Sequence, residues 1–164
     1  MATTAPPVPI TFERTTRLAA DAGTVWRHVT TPRGINDEFK PWMRMTVPRR
    51  LRNVRLDDVE LGVRLCRSWV LVLGIVPFEF DDLVLVERGP GLRFVERSST
   101  LVARTWQHER TVVGNGSGGS DLTDRLSLGP RPALARLPGG TAVAERVVRA
   151  IFGHRHRRLS SRFG

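Results

Sequence analysis

The chain has 164 residues, 40% of them apolar, which is enough for one domain with a sizeable buried core. Its net charge is +10 (26 − 16), and every basic residue but Lys40 is Arg, a balance that allows a polyanionic partner. The single cysteine, Cys66, excludes an internal disulfide, and no zinc-finger spacing, aromatic RNA-binding motif or phosphate-binding glycine loop occurs.

Residues 1–9, with Pro6, Pro7 and Pro9, read as a flexible tail, and residues 10–164 as a single domain. The N-terminus has no basic segment followed by an apolar one, so it does not read as a secretory signal. The longest apolar run, Trp69 to Phe78, is about half of what a membrane span needs. A cytoplasmic protein is the expectation.

Ile10 to Leu18 alternates as a strand. Asp21 is a candidate N-cap for a helix carrying Val25, Trp26 and Val29 at helical spacing. Pro32 and Gly34 end it, and a short turn or second helix covers about Ile35 to Phe39. Lys40 to Pro48 reads as a strand with Trp42 at its start; Arg49 to Glu60 is polar and unassigned. Leu61 to Leu73 fits a helix and a buried strand about equally. Its aromatic and β-branched end, Trp69 to Val72, tilts it toward strand. Phe78 to Glu87 and Leu92 to Arg97 read as strands joined at Arg88-Gly-Pro-Gly91. Glu79, Asp81, Asp82 and Glu87 form a small acidic counterweight to the arginines.

Leu101 to Val113 is the most informative strand. Val102, Arg104, Trp106, His108, Arg110 and Val112 share one face, large apolar side chains mixed with ionisable ones, as in a lined cavity. Gly114 to Gly119 is a loop, and Asp121 to Leu128 is the partner strand, with Asp124 on its apolar face among Leu122, Leu126 and Leu128. A loop symmetric about Gly116 places His108 opposite Asp124, close enough for a hydrogen bond. A carboxylate-held imidazole is a candidate acid/base unit; a buried pair tying two strands together is the other reading. Gly129 to Gly140 reads as a linker.

Thr141 to Arg162 reads as a long helix. Ala144, Val147, Val148, Ile151, Phe152 and Leu159 form its apolar stripe. Arg155 falls on that stripe and His156 at its edge, while His154, Arg157, Arg158 and Arg162 face away. A buried guanidinium needs an anion: Asp124 or a ligand carboxylate or enolate. The alternative is a stem packed on the core with its head in water. Trp42, Trp69, Phe80 and Trp106 are candidate lining residues. His108, His154 and His156 have no metal-ligand spacing, so no metal or other cofactor is expected.

Strand, two short helices, a run of antiparallel strands and one long last helix imply an α+β fold: a curved antiparallel β-sheet wrapped around the C-terminal helix. With Phe12-Glu-Arg and Asp21 to Val29, Gly74 to Pro77, Phe94 to Ser98 with Trp106-Gln-His108-Glu-Arg110, and Leu122-Thr-Asp124-Arg with Phe152 to Leu159, the chain resembles the SRPBCC or START-like helix-grip superfamily. That superfamily includes the polyketide cyclase/dehydrase and lipid transport proteins. The resemblance implies a pocket for a lipid, polyketide or other hydrophobic small molecule between sheet and helix, without implying catalysis.

Three functions follow in order. The first is binding or transport of such a molecule, contacted by Trp42, Trp69, Phe80, Trp106, His108, Arg110, Phe152, Arg155 and His156. The second is a polyketide cyclase- or dehydratase-like enzyme in which His108, set by Asp124, moves protons and Arg110 or Arg155 stabilises an enolate. The absence of tyrosine counts against it. The third is a nucleic-acid or acidic-partner binder using the basic helix end.

Overall fold

The computed structural model describes residues 9–164, so the expected tail lies, except for Pro9, outside the described residues. The elements are β1 (Ile10–Leu18), α1 (Ala22–Val29), α2 (Pro32–Phe39), β2 (Met43–Met45), β3 (Arg64–Val72), β4 (Val76–Arg88), β5 (Leu92–Ser98), β6 (Ala103–Gly114), β7 (Ser120–Pro130), α3 (Pro132–Arg136) and α4 (Gly140–Phe163). Two 3-10 turns, Arg49–Leu51 and Leu56–Asp58, occupy the unassigned polar stretch. The strands form one antiparallel sheet in the order β1-β7-β6-β5-β4-β3-β2. The sheet curls around α4, which makes this a helix-grip fold.

Local chemistry sets the entry to the sheet. Asp21 caps α1 by accepting from the Thr24 backbone N–H at 2.9 Å. Thr31 caps α2 in the same way through Gly34 (3.0 Å). Pro32 does not merely stop α1; it opens α2, where its missing N–H costs nothing. At the far end, the Phe163 carbonyl accepts from Ala19 N–H (2.7 Å), tying the end of α4 to the β1–α1 turn.

The β6–β7 hairpin departs from the expected register. Arg110, not His108, lies opposite Asp124, and His108 faces Leu126. The loop is centred on Ser117 rather than Gly116, with Gly116 and Gly118 both at positive φ on either side. A shift of two residues keeps every side chain on its expected face. At the other end of β6, Ala103 pairs with Pro130 and Thr105 with Gly129, so Arg104 is an extra, bulged residue. The bulge turns Ala103 into the core and leaves Arg104 exposed, against the expected alternation.

Residues 64–72 are strand, resolving the helix-or-strand ambiguity in favour of β3. The expected linker contains a short helix, α3, with Pro132 at its start. The concave face of the sheet supplies Leu122, Leu126 and Leu128. Against them α4 sets Val148, Phe152 and Leu159 at helical spacing.

Candidate functional site

The apolar stripe of α4 is interrupted by Arg155 and His156, both buried. The face of β6 and β7 that meets it carries His108, Arg110 and Asp124, also buried. α2 adds Glu38, turned inward beside Phe39 and fully enclosed. These six ionisable side chains form one connected network. Asp124 accepts from His108 Nε2 (2.8 Å), Arg110 Nε (2.7 Å) and Nη2 (2.8 Å), and is 3.0 Å from His156 Nε2. Glu38 accepts from Arg110 Nη1 (2.8 Å) and Nη2 (3.0 Å) and from Arg155 Nε (2.8 Å). His156 Nδ1 lies 2.6 Å from Thr16 Oγ1 on β1.

Two guanidinium groups face two carboxylates, so the centre of the network is neutral. Burial favours the uncharged acids, but Arg110 and His108 outweigh it and hold Asp124 well below the usual carboxylate range. Arg110 and Arg155 likewise overcome burial to keep Glu38 low. Burial lowers His108, but Asp124 more than reverses this, so its basicity is raised. The His108 ring is also wedged edge-on between Phe94 (5.5 Å) and Phe152 (5.3 Å).

Above this layer the sheet and α4 separate around a cavity of about 620 Å³. Its floor is Trp106, His108, Arg110, Phe152 and Arg155; Val70, Leu83 and Phe94 form the sheet wall and Val148 and Ile151 the helix wall. Phe78, Leu137, Val143 and Val147 line it and are also exposed, so they mark its mouth. Three further acids line the wall, Glu79 and Asp81 on β4 and Glu96 on β5. Burial, then the neighbouring Glu96, pushes Asp81 up to about 9. Burial also acts to raise Glu96, but His108 keeps it below its ordinary value. The pair therefore holds one proton at neutral pH.

Of the expected lining residues, Trp106, His108, Arg110, Phe152 and Arg155 do border the cavity. Trp42, Trp69, Phe80 and His156 do not. Trp42 precedes β2 and is 60% exposed; Trp69 is 42% exposed and stacks edge-on with Phe80 at 5.7 Å, with Arg67 over the Phe80 ring. The pair packs on the sheet's other face, where two aromatics and a cation shield one another. His156 lies beneath the cavity, held by Asp124 and Thr16. Arg155 pairs with Glu38 rather than with Asp124, and its guanidinium lies over Phe39 (5.0 Å) and Phe152 (4.7 Å).

Sequence reasoning missed Glu38, Glu79, Asp81 and Glu96. The available signal was alternation: Asp81 shares its side of β4 with Leu83 and Leu85, and Glu96 its side of β5 with Phe94. Asp82, by contrast, points out and pairs with Arg64 and Arg67. Among the described residues, no group of three or more His, Cys, Asp or Glu side chains is placed to hold a metal ion. No helix of the described residues is long and apolar enough to cross a membrane.

A family model described as a domain of unknown function (DUF8410) matches residues 16–163. The chain belongs to this family. No curated protein matches it. Among solved structures, this DUF8410 chain is similar to the Zhui aromatase/cyclase from Streptomyces sp. R1128, at 14% identity over 94% of this chain and 93% of that chain, with a TM-score of 0.69. It is also similar to a START superfamily protein from Mycobacterium smegmatis, at 11% identity over 93% and 96% of the two chains (TM-score 0.62). A third is Ara h 8.0201, at 10% identity over 93% and 99% (TM-score 0.58). What this DUF8410 domain shares with them is the SRPBCC/START-like helix-grip fold.

Proposed function

We propose that the protein binds a hydrophobic small molecule, lipid- or polyketide-like, in the cavity between the sheet and α4. The observation that carries this reading is the cavity itself. Its volume of about 620 Å³ falls within the roughly 300–1,000 Å³ usual for small-molecule sites, and most of its wall is apolar. The buried ion network beneath it gives the floor a fixed shape, since each of its carboxylates is held by several donors.

The test is a fluorescence titration with 1-methylpyrene, an apolar probe that fits the volume. Wild-type protein should bind it saturably, and Val147→Trp, which places an indole at the mouth, should weaken binding at least tenfold with the fold intact by circular dichroism. Equal binding by both proteins would remove the cavity from the account.

One observation favours a second reading, a cyclase- or dehydratase-like enzyme. His108 borders the cavity with Nε2 fixed on Asp124, and the carboxylate raises its basicity, which suits proton transfer. A His108→Gln variant that binds ligand but no longer converts it would support this reading; unchanged conversion would refute it. A polyanion partner has less support. Arg158 and Arg162, at the basic end of α4, are turned onto Asp37 of α2.

A further inference from the structure

The cavity's positive groups are already engaged. Arg110 directs Nε, Nη1 and Nη2 at Asp124 and Glu38, and Arg155 directs Nε and Nη2 at Glu38 while stacking on Phe39 and Phe152. A ligand anion would have to compete with two internal carboxylates in a closed, neutral cluster.

The acid pair on the opposite wall is the reverse case. Asp124 is met by three N–H donors and a second imidazole, whereas Glu96 has Ser98 Oγ at 3.1 Å. His108 Nδ1 stands 3.9 Å from Glu96 Oε2, beyond hydrogen-bond reach. Asp81 Oδ1 is the one buried side-chain polar atom without a partner among the described residues. A proton shared between the two carboxyls still leaves more lone pairs than donors. A ligand anion here would add negative charge beside the Glu79, Asp81 and Glu96 carboxyls in a mostly apolar space, whereas a neutral donor adds none.

We infer that the ligand presents a neutral hydroxyl, phenolic, enolic or alcoholic, on an apolar body to the Asp81–Glu96 carboxyl pair, rather than an anionic group to Arg110 or Arg155. This inference rests on the binding function proposed above and specifies the chemistry of the same site. It also reverses the polarity expected from sequence, where the arginines were candidates for a ligand carboxylate or enolate.

Three probes of one shape test it: 1-hydroxypyrene, 1-methylpyrene and pyrene-1-carboxylate, titrated below the phenol's ionisation. The hydroxyl should bind about tenfold or more tightly than the methyl, the scale of one hydrogen bond to a charged acceptor in an apolar site. The carboxylate should bind more weakly than the methyl. Asp81→Leu should bring hydroxyl and methyl to equal affinity, read as the ratio of the two Kd values within the variant. Tightest binding by the carboxylate, no hydroxyl advantage in wild type, or an advantage that survives Asp81→Leu would each overturn the inference. The wild-type series decides the matter even if the variant does not fold. Saturable binding of 1-methylpyrene without a hydroxyl preference sinks this inference alone; no binding by any of the three sinks the cavity reading with it.

Discussion

Replacing Asp124 with Asn removes one negative charge from the centre of the buried network and leaves its shape in place. Asp124 accepts two bonds from Arg110 and one from His108, and His156 Nε2 lies 3.0 Å away. An amide offers one oxygen to these groups and turns an NH₂ toward the rest. Arg110 and Arg155 are then left with Glu38 as their only carboxylate, and Arg110 is 1% exposed, so water cannot replace the lost partner. Breaking a buried ion pair from one side costs about 3–5 kcal/mol, because the remaining charge stays desolvated. That corresponds to about a hundred- to several-thousandfold in the folding equilibrium, and to a Tm lower by roughly 6–20 °C for a domain of this size. Urea denaturation followed by tryptophan fluorescence reads it, with an unchanged slope showing that the denatured state is not altered. In an Arg110→Leu background the same substitution should cost much less, since the charge that it strands is gone. A loss under about 1 kcal/mol in the wild-type background, or full additivity of the two substitutions, would refute this account of the network.

Asp81 makes the opposite prediction. Its folded value, about 9, lies above its ordinary 3.8, so across that window the native state holds a proton that the unfolded chain has released. Stability from this residue therefore falls as pH rises through the window. Asp81→Leu should raise the urea midpoint, and its advantage over wild type should grow from pH 5 to pH 8; an advantage that shrinks with pH would contradict the assignment. Trp69→Ala should leave 1-methylpyrene affinity within about twofold, because Trp69 packs on Phe80 away from the cavity; a tenfold loss would place it in the site after all.

Much of this was legible in the sequence for identifiable reasons. The glycine loop between β6 and β7 could only be a hairpin, and α4 carries an apolar stripe at helical spacing with Arg155 on it. Together these placed His108, Arg110, Asp124 and Arg155 facing one another. Register was less accessible. Positive φ at both Gly116 and Gly118 centres the loop on Ser117, a detail that composition does not determine. The His108–Asp124 contact nevertheless forms, diagonally, because a two-residue shift preserves faces. Trp106 and Phe152 border the cavity as expected, whereas Trp69 and Phe80 pack edge-on against each other on the sheet's outer face, an alternative that apolar character alone does not distinguish. The missed acids were invisible for a different reason. Glu38 is buried because Arg110, 72 residues later, meets it, and such a partner has no local signature. Asp81 and Glu96 looked like ordinary solvated charge until the strand pairing placed them against the cavity.

The crystal structure of the protein with 1-methylpyrene tests the central claim most directly. The account places the ring system between the concave sheet and α4, against Trp106, Phe152 and Val148. Ring density on the outer face, beside Trp69 and Phe80, with the interior left unchanged, would contradict it.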